Sequence, residues 1–382
     1  MTEITADAGH AIIAPSSLDR TVHCPGWLKN ATAVPPLLEG EEAAEGEAAH
    51  WVALQMALAA TPGNGELPAV GSKAPNGVEV TDEMIDGGFI YIEALEGLPG
   101  KMEERIDIPR IHPTACWGTP DRFTYTPNTR TLRVFDYKYG FEYVEVFENW
   151  QLVAYAVGIL DKLGLHDHLD HIILELVIVQ PRLPHRDGPI RMWTVAASKV
   201  RAMVNIAFNA AHEALGDNPS THTGPHCLHC PARVSCVTLQ KATANIMEFS
   251  GHADPMLQTP GDIGRELRLI MAARARLKAR QTGLEAQAEA LLRAGKMVPF
   301  FMIEPAQSRL TWHDDVQPAE VEALAQMFGK SALRPPALKT PTQVIKGKIL
   351  DSAVVNAYAS RPTGAMKMVP DSTTTAAKVF QK

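Results

Sequence analysis

Asp121 and Asp136 stand on either side of Pro127-Asn128-Thr129, a run with the composition of a tight turn. Residues 117–125 and 131–137 alternate and are rich in β-branched and aromatic side chains, so they are expected to pair as a hairpin. A turn centred between Asn128 and Thr129 sets Asp121 opposite Asp136, with Cβ atoms about 5 Å apart. Lys138 lies two residues beyond Asp136 and shares its face. Tyr137 points away, although its backbone carbonyl can turn inwards. Two carboxylates that close repel each other unless a cation lies between them. Hard oxygen donors suit Mg2+ or Mn2+, and such an ion polarises a phosphodiester and acidifies a bound water. Lys138 would orient or deprotonate that water, or stabilise charge developing on the phosphate. The same three residues also suit a surface Asp–Lys ladder on an edge strand.

Two helices carry candidate helpers. Glu45-Gly46-x3-His50 precedes the hairpin, and His50 could add a nitrogen ligand to the acid pair or serve a structural role. Gln151 and Tyr155 are four apart on the following helix and share a face. An amide beside a phenol can bind a phosphate or a base edge, or simply mark the polar rim of a helix packed on a sheet.

Cys227-x2-Cys230-x5-Cys236 gathers three thiols in one short loop stiffened by Pro231. The total of five cysteines is odd, so a disulfide framework is not expected. Four thiolates close a tetrahedral zinc site or an iron–sulfur cubane. Cys24 or Cys116 could be the fourth, and His23, His226 or His229 would serve zinc. Spacing alone does not separate the two.

The elements that must position these groups follow from the pattern. Pro15 to Arg20 reads as a cap and a short helix with Cys24 near its end. Residues 39–60 read as a helix, 61–80 as a loop, and Thr81 as the cap of a helix to about Glu96. Strands are expected at 104–108, 117–125 and 131–137, then a helix at 148–163 with apolar residues at 152, 153, 156, 159, 160 and 163. A buried strand over 172–180, another over 190–195 and a helix capped by Ser198 complete an α/β core with a mixed sheet flanked by helices. Its end is placed near residue 245. Over 246–382 a helical extension is expected. Its main helix starts at Thr259-Pro260-Gly261-Asp262, ends near Gly295 and is on the order of 50 Å long. Ile263, Ile270, Leu277, Leu284 and Leu291 recur every seven residues along it, half of a coiled-coil seam that would pack on a neighbour. Arg265, Arg268, Arg274, Arg276, Lys278 and Arg280 read as a solvated face. Shorter helices are expected at 317–329 and 341–359.

Composition bounds the rest. The chain has 382 residues, with 46% hydrophobic and 21% charged, which excludes a largely disordered protein. A net charge of −7 argues against coating nucleic acid by bulk charge, but not against gripping it in one groove. No apolar run reaches the ~18 residues of a membrane span. The first ten residues lack a secretory pattern, so a cytoplasmic location is expected.

His50, then Gly118-Thr119-Pro120-Asp121, Asp136-Tyr137-Lys138 and Gln151-x3-Tyr155, in this order, resemble the PD-(D/E)XK nuclease superfamily, and its RecB-like branch in particular. Glu148 to Leu152 and Ser16-x7-Cys24-Pro25 resemble an uncharacterised family of such nucleases found in phages and prophages. The resemblance covers roughly residues 12–240. It implies a restriction-endonuclease-like fold and a divalent metal held by His50, Asp121 and Asp136 with the Tyr137 carbonyl assisting. It also implies Lys138 as the catalytic lysine, with Gln151 and Tyr155 as nucleic-acid contacts. It implies a 4Fe-4S cluster on Cys24, Cys227, Cys230 and Cys236, with Cys116 free and zinc as the alternative metal. The expected function is a metal-dependent DNA nuclease, an exonuclease of phage or bacterial DNA recombination, with DNA and a recombination protein as partners. The competing expectations are a non-catalytic nucleic-acid-binding or scaffolding protein on the same fold, and a zinc-stabilised interaction module.

Overall fold

Residues 11–32, 41–60, 67–250 and 260–301 are described by a computed structural model. Helices α1 (Leu18–His23) and α2 (Trp27–Ala31) precede α3 (Glu41–Ala59) and α4 (Asp82–Leu95). Short strands β1 (Lys101–Met102), β2 (Ile106–Asp107) and β3 (Trp117–Gly118) lead into the hairpin β4 (Arg122–Thr126) and β5 (Thr131–Tyr137). Helix α5 (Trp150–Lys162), strands β6 (Ile173–Val179) and β7 (Ile190–Ala196), and helix α6 (Arg201–Ala214) complete the core, followed by α7 (Val237–Ser250) and α8 (Pro260–Arg293).

The main sheet is mixed, in the order β1-β4-β5-β6-β7. β5 and β6 are parallel and joined through α5, and the other pairs are antiparallel. Alternation sorts the two faces. Leu132, Val134, Leu174, Leu176 and Ile178 pack with α5 and α6, whereas Phe135, Tyr137, Val177 and Val179 pack with α3 and α4. Glu175, the one charge in the β6 run, pairs with Arg133 at 2.7 Å. Among the described residues no helix is long and apolar enough to cross a membrane.

Local chemistry sets the helix starts. Thr81 Oγ1 accepts from Met84 N–H, with Asp82 and Glu83 in the first turn of α4. Asn149 Oδ1 accepts from Leu152 N–H, so α5 begins at Trp150 rather than Glu148. Leu152 to Leu160 are all buried, because α5 is enclosed by the sheet, α6 and the N-terminal segment. Gly158 is required there: a Cβ would lie 2.6 Å from Ile106 Cγ2.

Three expectations are corrected. The strand expected at 104–108 is shortened to β2, Ile106–Asp107, because Glu103 adopts a left-handed conformation (φ 48°) and turns the chain from β1 of the main sheet into the β2–β3 pair. The strand expected at 117–125 is broken at Pro120, which has no N–H for a ladder. Ser198 lies inside a 3-10 turn, Ala197–Val200, and α6 begins only at Arg201.

Helix α8 starts at Pro260 as expected, but a different face packs. Ala279 is fully buried, and a Cβ on Gly283 would lie 3.0 Å from Arg233 Cγ. Arg276 Nε donates to Thr223 Oγ1 at 3.0 Å, and Arg280 donates to the Val234 carbonyl. The heptad residues Ile270, Leu277 and Leu284 stay exposed. The Thr223 hydroxyl and the Val234 carbonyl hold Arg276 and Arg280, two of the basic residues expected on a solvated face, and this outweighs an apolar stripe only one residue wide. The first compact unit runs to Ile303 and includes α8. The helices expected at 317–329 and 341–359 lie outside the described residues.

Candidate metal centre and cysteine cluster

The hairpin has the expected register: Arg122 pairs with Phe135 and Thr126 with Thr131. Asp121 sits one residue before β4 and Asp136 near the end of β5, so the two carboxylates meet at one end of the sheet. Asp121 Oδ2 accepts the Tyr137 backbone N–H at 2.5 Å, and His50 Nδ1 of α3 lies 3.5 Å from Asp121 Oδ1. Lys138 Nζ lies 2.9 Å from Asp136 Oδ2 and donates to Gln151 Oε1 at 3.0 Å. Gln151 Nε2 donates to Asp136 Oδ1 at 2.9 Å. His50, Asp121, Asp136, Lys138 and Gln151 therefore form one connected network.

Electrostatics follow from burial. Asp136 is only 3% exposed. Burial raises its pKa and Asp121 adds to the rise, although Lys138 and His50 oppose it. Burial also works against ionised Asp121, but the His50 charge and the Tyr137 N–H outweigh it and hold that carboxyl below its usual value. Burial likewise opposes the charges on His50 and Lys138, and the neighbouring aspartates outweigh it in both.

Tyr155 is buried, 6% exposed, one helical turn below Gln151 on the same face of α5. It packs against the N-terminal segment. Gly118 permits this, since a Cβ there would lie 2.8 Å from Pro15 Cδ and 3.0 Å from Tyr155 Cε1. The Tyr137 ring lies on the opposite sheet face, edge-on to His50 with centroids 5.2 Å apart. Glu45 turns aside and pairs with Arg182 at 2.8 Å.

Two residues escaped the sequence. Glu103, thrown towards Asp121 by its left-handed backbone, has its carboxyl pushed up to about 7, by burial first and then by the Asp121 charge. Together with His50, Tyr91 and Asp121 it lines a crevice of about 10 Å3, on the order of the space one water or ion occupies. No spacing rule points to it. Gln180, fully buried, donates to the Gly140 and Glu142 carbonyls at 2.8 and 2.7 Å, accepts from Val144 N–H at 3.3 Å, and accepts from Arg191 at 2.7 Å. It pins the loop that follows Lys138. A polar residue closing the β-branched run 172–180 was its only signal.

The donor set suits a hard divalent cation: two carboxylates, an imidazole, a third carboxylate nearby and an ion-sized crevice. Asp136 Oδ2 is buried and, despite its ion pair with Lys138, has no aligned hydrogen bond. A metal ion could take that oxygen without breaking an aligned hydrogen bond. As they stand, no three His, Cys, Asp or Glu side chains among the described residues are drawn tightly enough together to hold an ion. Their atoms are engaged with one another instead.

The cysteines divide as four and one. Cys24 ends α1 and packs with Trp27, Leu28, Cys230 and Ala232. Cys227 packs with Leu239 of α7 and Ala279 of α8, with Cys236 alongside. Burial raises the pKa of Cys24, with Cys227 and Cys236 adding to the rise, and burial pushes Cys230 to about 11. His222 N–H donates to Cys24 Sγ at 3.3 Å, and Gly224 N–H to Cys227 Sγ at 3.4 Å. Backbone donors of this kind stabilise thiolate ligands. Arg20 Nε and Arg233 Nε are buried without partners beside this loop, and an anionic thiolate-held centre would compensate them. Cys116 stands apart in the main core, pushed up to about 12 by burial alone. All five cysteines are free of disulfides.

Among solved structures, the crystal structure of SSO0001 is 11% identical and covers 62% of this chain and 90% of that one, with a TM-score of 0.28. Likeness at that level carries no argument. A family model described as a protein of unknown function, DUF2800, matches residues 10–375. That match spans nearly the whole sequence, so the chain belongs to the DUF2800 family.

Proposed function

We propose that the protein is a metal-dependent DNA nuclease on a restriction-endonuclease-like core, an exonuclease of the PD-(D/E)XK superfamily and its RecB-like branch acting in phage or bacterial DNA processing. The observation that carries this reading is the buried Asp121–Asp136–Lys138–Gln151 network, in which two carboxylates share one end of the sheet with a lysine and an amide. A fold gains little stability from gathering buried charges, so such a cluster suits a task.

His50, Asp121 and Asp136 would hold Mg2+ or Mn2+, with the Tyr137 carbonyl assisting and Glu103 as a further donor. The ion supplies charge to polarise the phosphodiester and to acidify a water. Gln151 holds Lys138 and Asp136 in register. Lys138, beside Asp136 and Gln151, would place its ammonium at the attacking water or at the charge developing on phosphate. Cys24, Cys227, Cys230 and Cys236 would hold a 4Fe-4S cluster, with zinc as the alternative. The group would staple the N-terminal helix to the end of the core. A structural role suits it, because it ties segments about 200 residues apart in sequence.

The test is cleavage of end-labelled single- and double-stranded DNA by anaerobically purified full-length protein with Mg2+ or Mn2+. Cleavage that stops in EDTA and in Asp136→Ala supports the reading. Binding without cleavage under every metal would instead favour a non-catalytic nucleic-acid-binding protein.

A further inference from the structure

Beyond the acid cluster, a cavity of about 940 Å3 opens at Gln151. Its walls are the loop after Lys138, the first turn of α5, the cysteine loop and helix α8. Gln151 belongs to both the cavity and the network holding Asp136 and Lys138, so the groove leads into that network.

The charges in the groove are not equivalent. Glu142 is engaged by His229 at 2.9 Å, Asp19 by His23 at 3.3 Å, and Glu145 Oε1 by the Val146 and Phe147 N–H groups. Glu148 is the groove acid that makes no hydrogen bond or ion pair among the described residues. On the facing wall, Arg274 and Lys278 of α8 are exposed and make no hydrogen bond or ion pair among the described residues, whereas on the same helix Arg276 is spent on the Thr223 hydroxyl and Arg280 on the Arg233 and Val234 carbonyls. Tyr143, Phe147 and Trp150 supply ring surface in the same groove. Unpaired cations on one wall and aromatic rings on another form the pattern that binds unpaired strands, because cations track phosphates and every base offers a face to stack. A groove of this volume has room for a few nucleotides of one strand.

We infer that this groove carries a single DNA strand to the acid cluster, with Arg274 and Lys278 of helix α8 contacting its phosphates. The inference rests on the nuclease reading for the direction of the path, but not for binding. The long helix is then a wall of the substrate channel. The cysteine loop, on which the helix packs, sets the channel's width.

The test measures binding of a fluorescein-labelled oligothymidylate and of a duplex of equal length to full-length protein in EDTA, across a salt series. Wild type should prefer the single strand. The double variant Arg274→Gln/Lys278→Gln should weaken single-strand binding and lower the slope of log affinity against log salt by about 1.4, at about 0.7 per lost phosphate contact. Glu148→Gln should tighten binding, a gain that misfolding does not mimic. An unchanged slope, or equal affinity for the duplex, overturns the inference. Cleavage is scored separately. A wild type that cuts DNA with an unchanged slope removes only the groove assignment. One with the expected slope shift but no cleavage under any metal removes only the nuclease reading.

Discussion

Lys138→Met separates the cost of the acid cluster from its use. Asp136 is almost wholly buried, and its charge is met at 2.9 Å by the Lys138 ammonium and at 2.9 Å by the Gln151 amide. Methionine keeps the apolar stem and removes the charge. Deleting one member of a buried pair costs about 3–5 kcal/mol, because the other stays behind uncompensated. At about 2–4 °C per kcal/mol for a unit of this size, the melting temperature in EDTA falls by on the order of 10 °C. The sign with pH is fixed. Burial, then Asp121, already raises the Asp136 pKa in the folded chain, and Lys138 opposes that rise. A group whose folded pKa is raised contributes stability that is whole below its unfolded value and is lost as pH rises through the folded one. The substitution raises that value further, so the deficit widens as pH rises above the unfolded carboxylate value of about 3.9. Saturating Mn2+, bound by the acids, should restore most of the loss and stabilise the variant more than wild type. Circular dichroism melts at acidic and at neutral pH, with EDTA or Mn2+, measure all of this. A deficit that shrinks with rising pH, or that Mn2+ leaves untouched, would refute the reasoning.

Other outcomes follow from the same geometry. Glu103, pushed up to about 7, must lose its proton to ligate a cation, so Mn2+ affinity measured by calorimetry should climb between pH 6 and 8 and flatten in Glu103→Gln. Gln180→Ala leaves the Gly140 and Glu142 carbonyls and Arg191 without their buried partner, and urea unfolding should show a loss of about 3 kcal/mol. Gly118→Ala drives a methyl into Pro15 and Tyr155 and should cost about 1–3 kcal/mol in the same assay. Anaerobic wild-type protein should absorb near ~400 nm and Cys230→Ser should lose that band, whereas Cys116→Ser should keep it; a colourless wild type containing zinc would replace the cluster by that metal.

Much of the site was legible because its geometry is local. Turn residues at 127–129 fixed the hairpin register, alternation put Lys138 beside Asp136, and helical spacing put Gln151 above Tyr155. Even the approach of Cys24 to the later cysteine trio was anticipated, through a family pattern rather than spacing. What stayed hidden depended on non-local packing or on rare backbone states. Glu103 reaches Asp121 only through a left-handed φ that nothing in Met102-Glu103-Glu104 announces. Pro120 marked an acid in the motif, yet its missing N–H also cut the strand in two. On α8 the heptad apolar residues pointed to the wrong face, because the fit of Ala279 and Gly283 against the cysteine loop and the reach of Arg276 to the Thr223 hydroxyl and of Arg280 to the Val234 carbonyl decide the packing. Gln180 became a hub only once the loop at 140–144 folded over it.

The most direct test of the proposed chemistry reads Mn2+ occupancy by electron paramagnetic resonance and cleavage of end-labelled DNA in the same anaerobic samples. Wild type should bind the ion and cut, Asp121→Ala and Asp136→Ala should lose both, and Lys138→Ala should keep the ion and lose cleavage. DNA cut equally well in EDTA, or by both aspartate variants, would contradict the account.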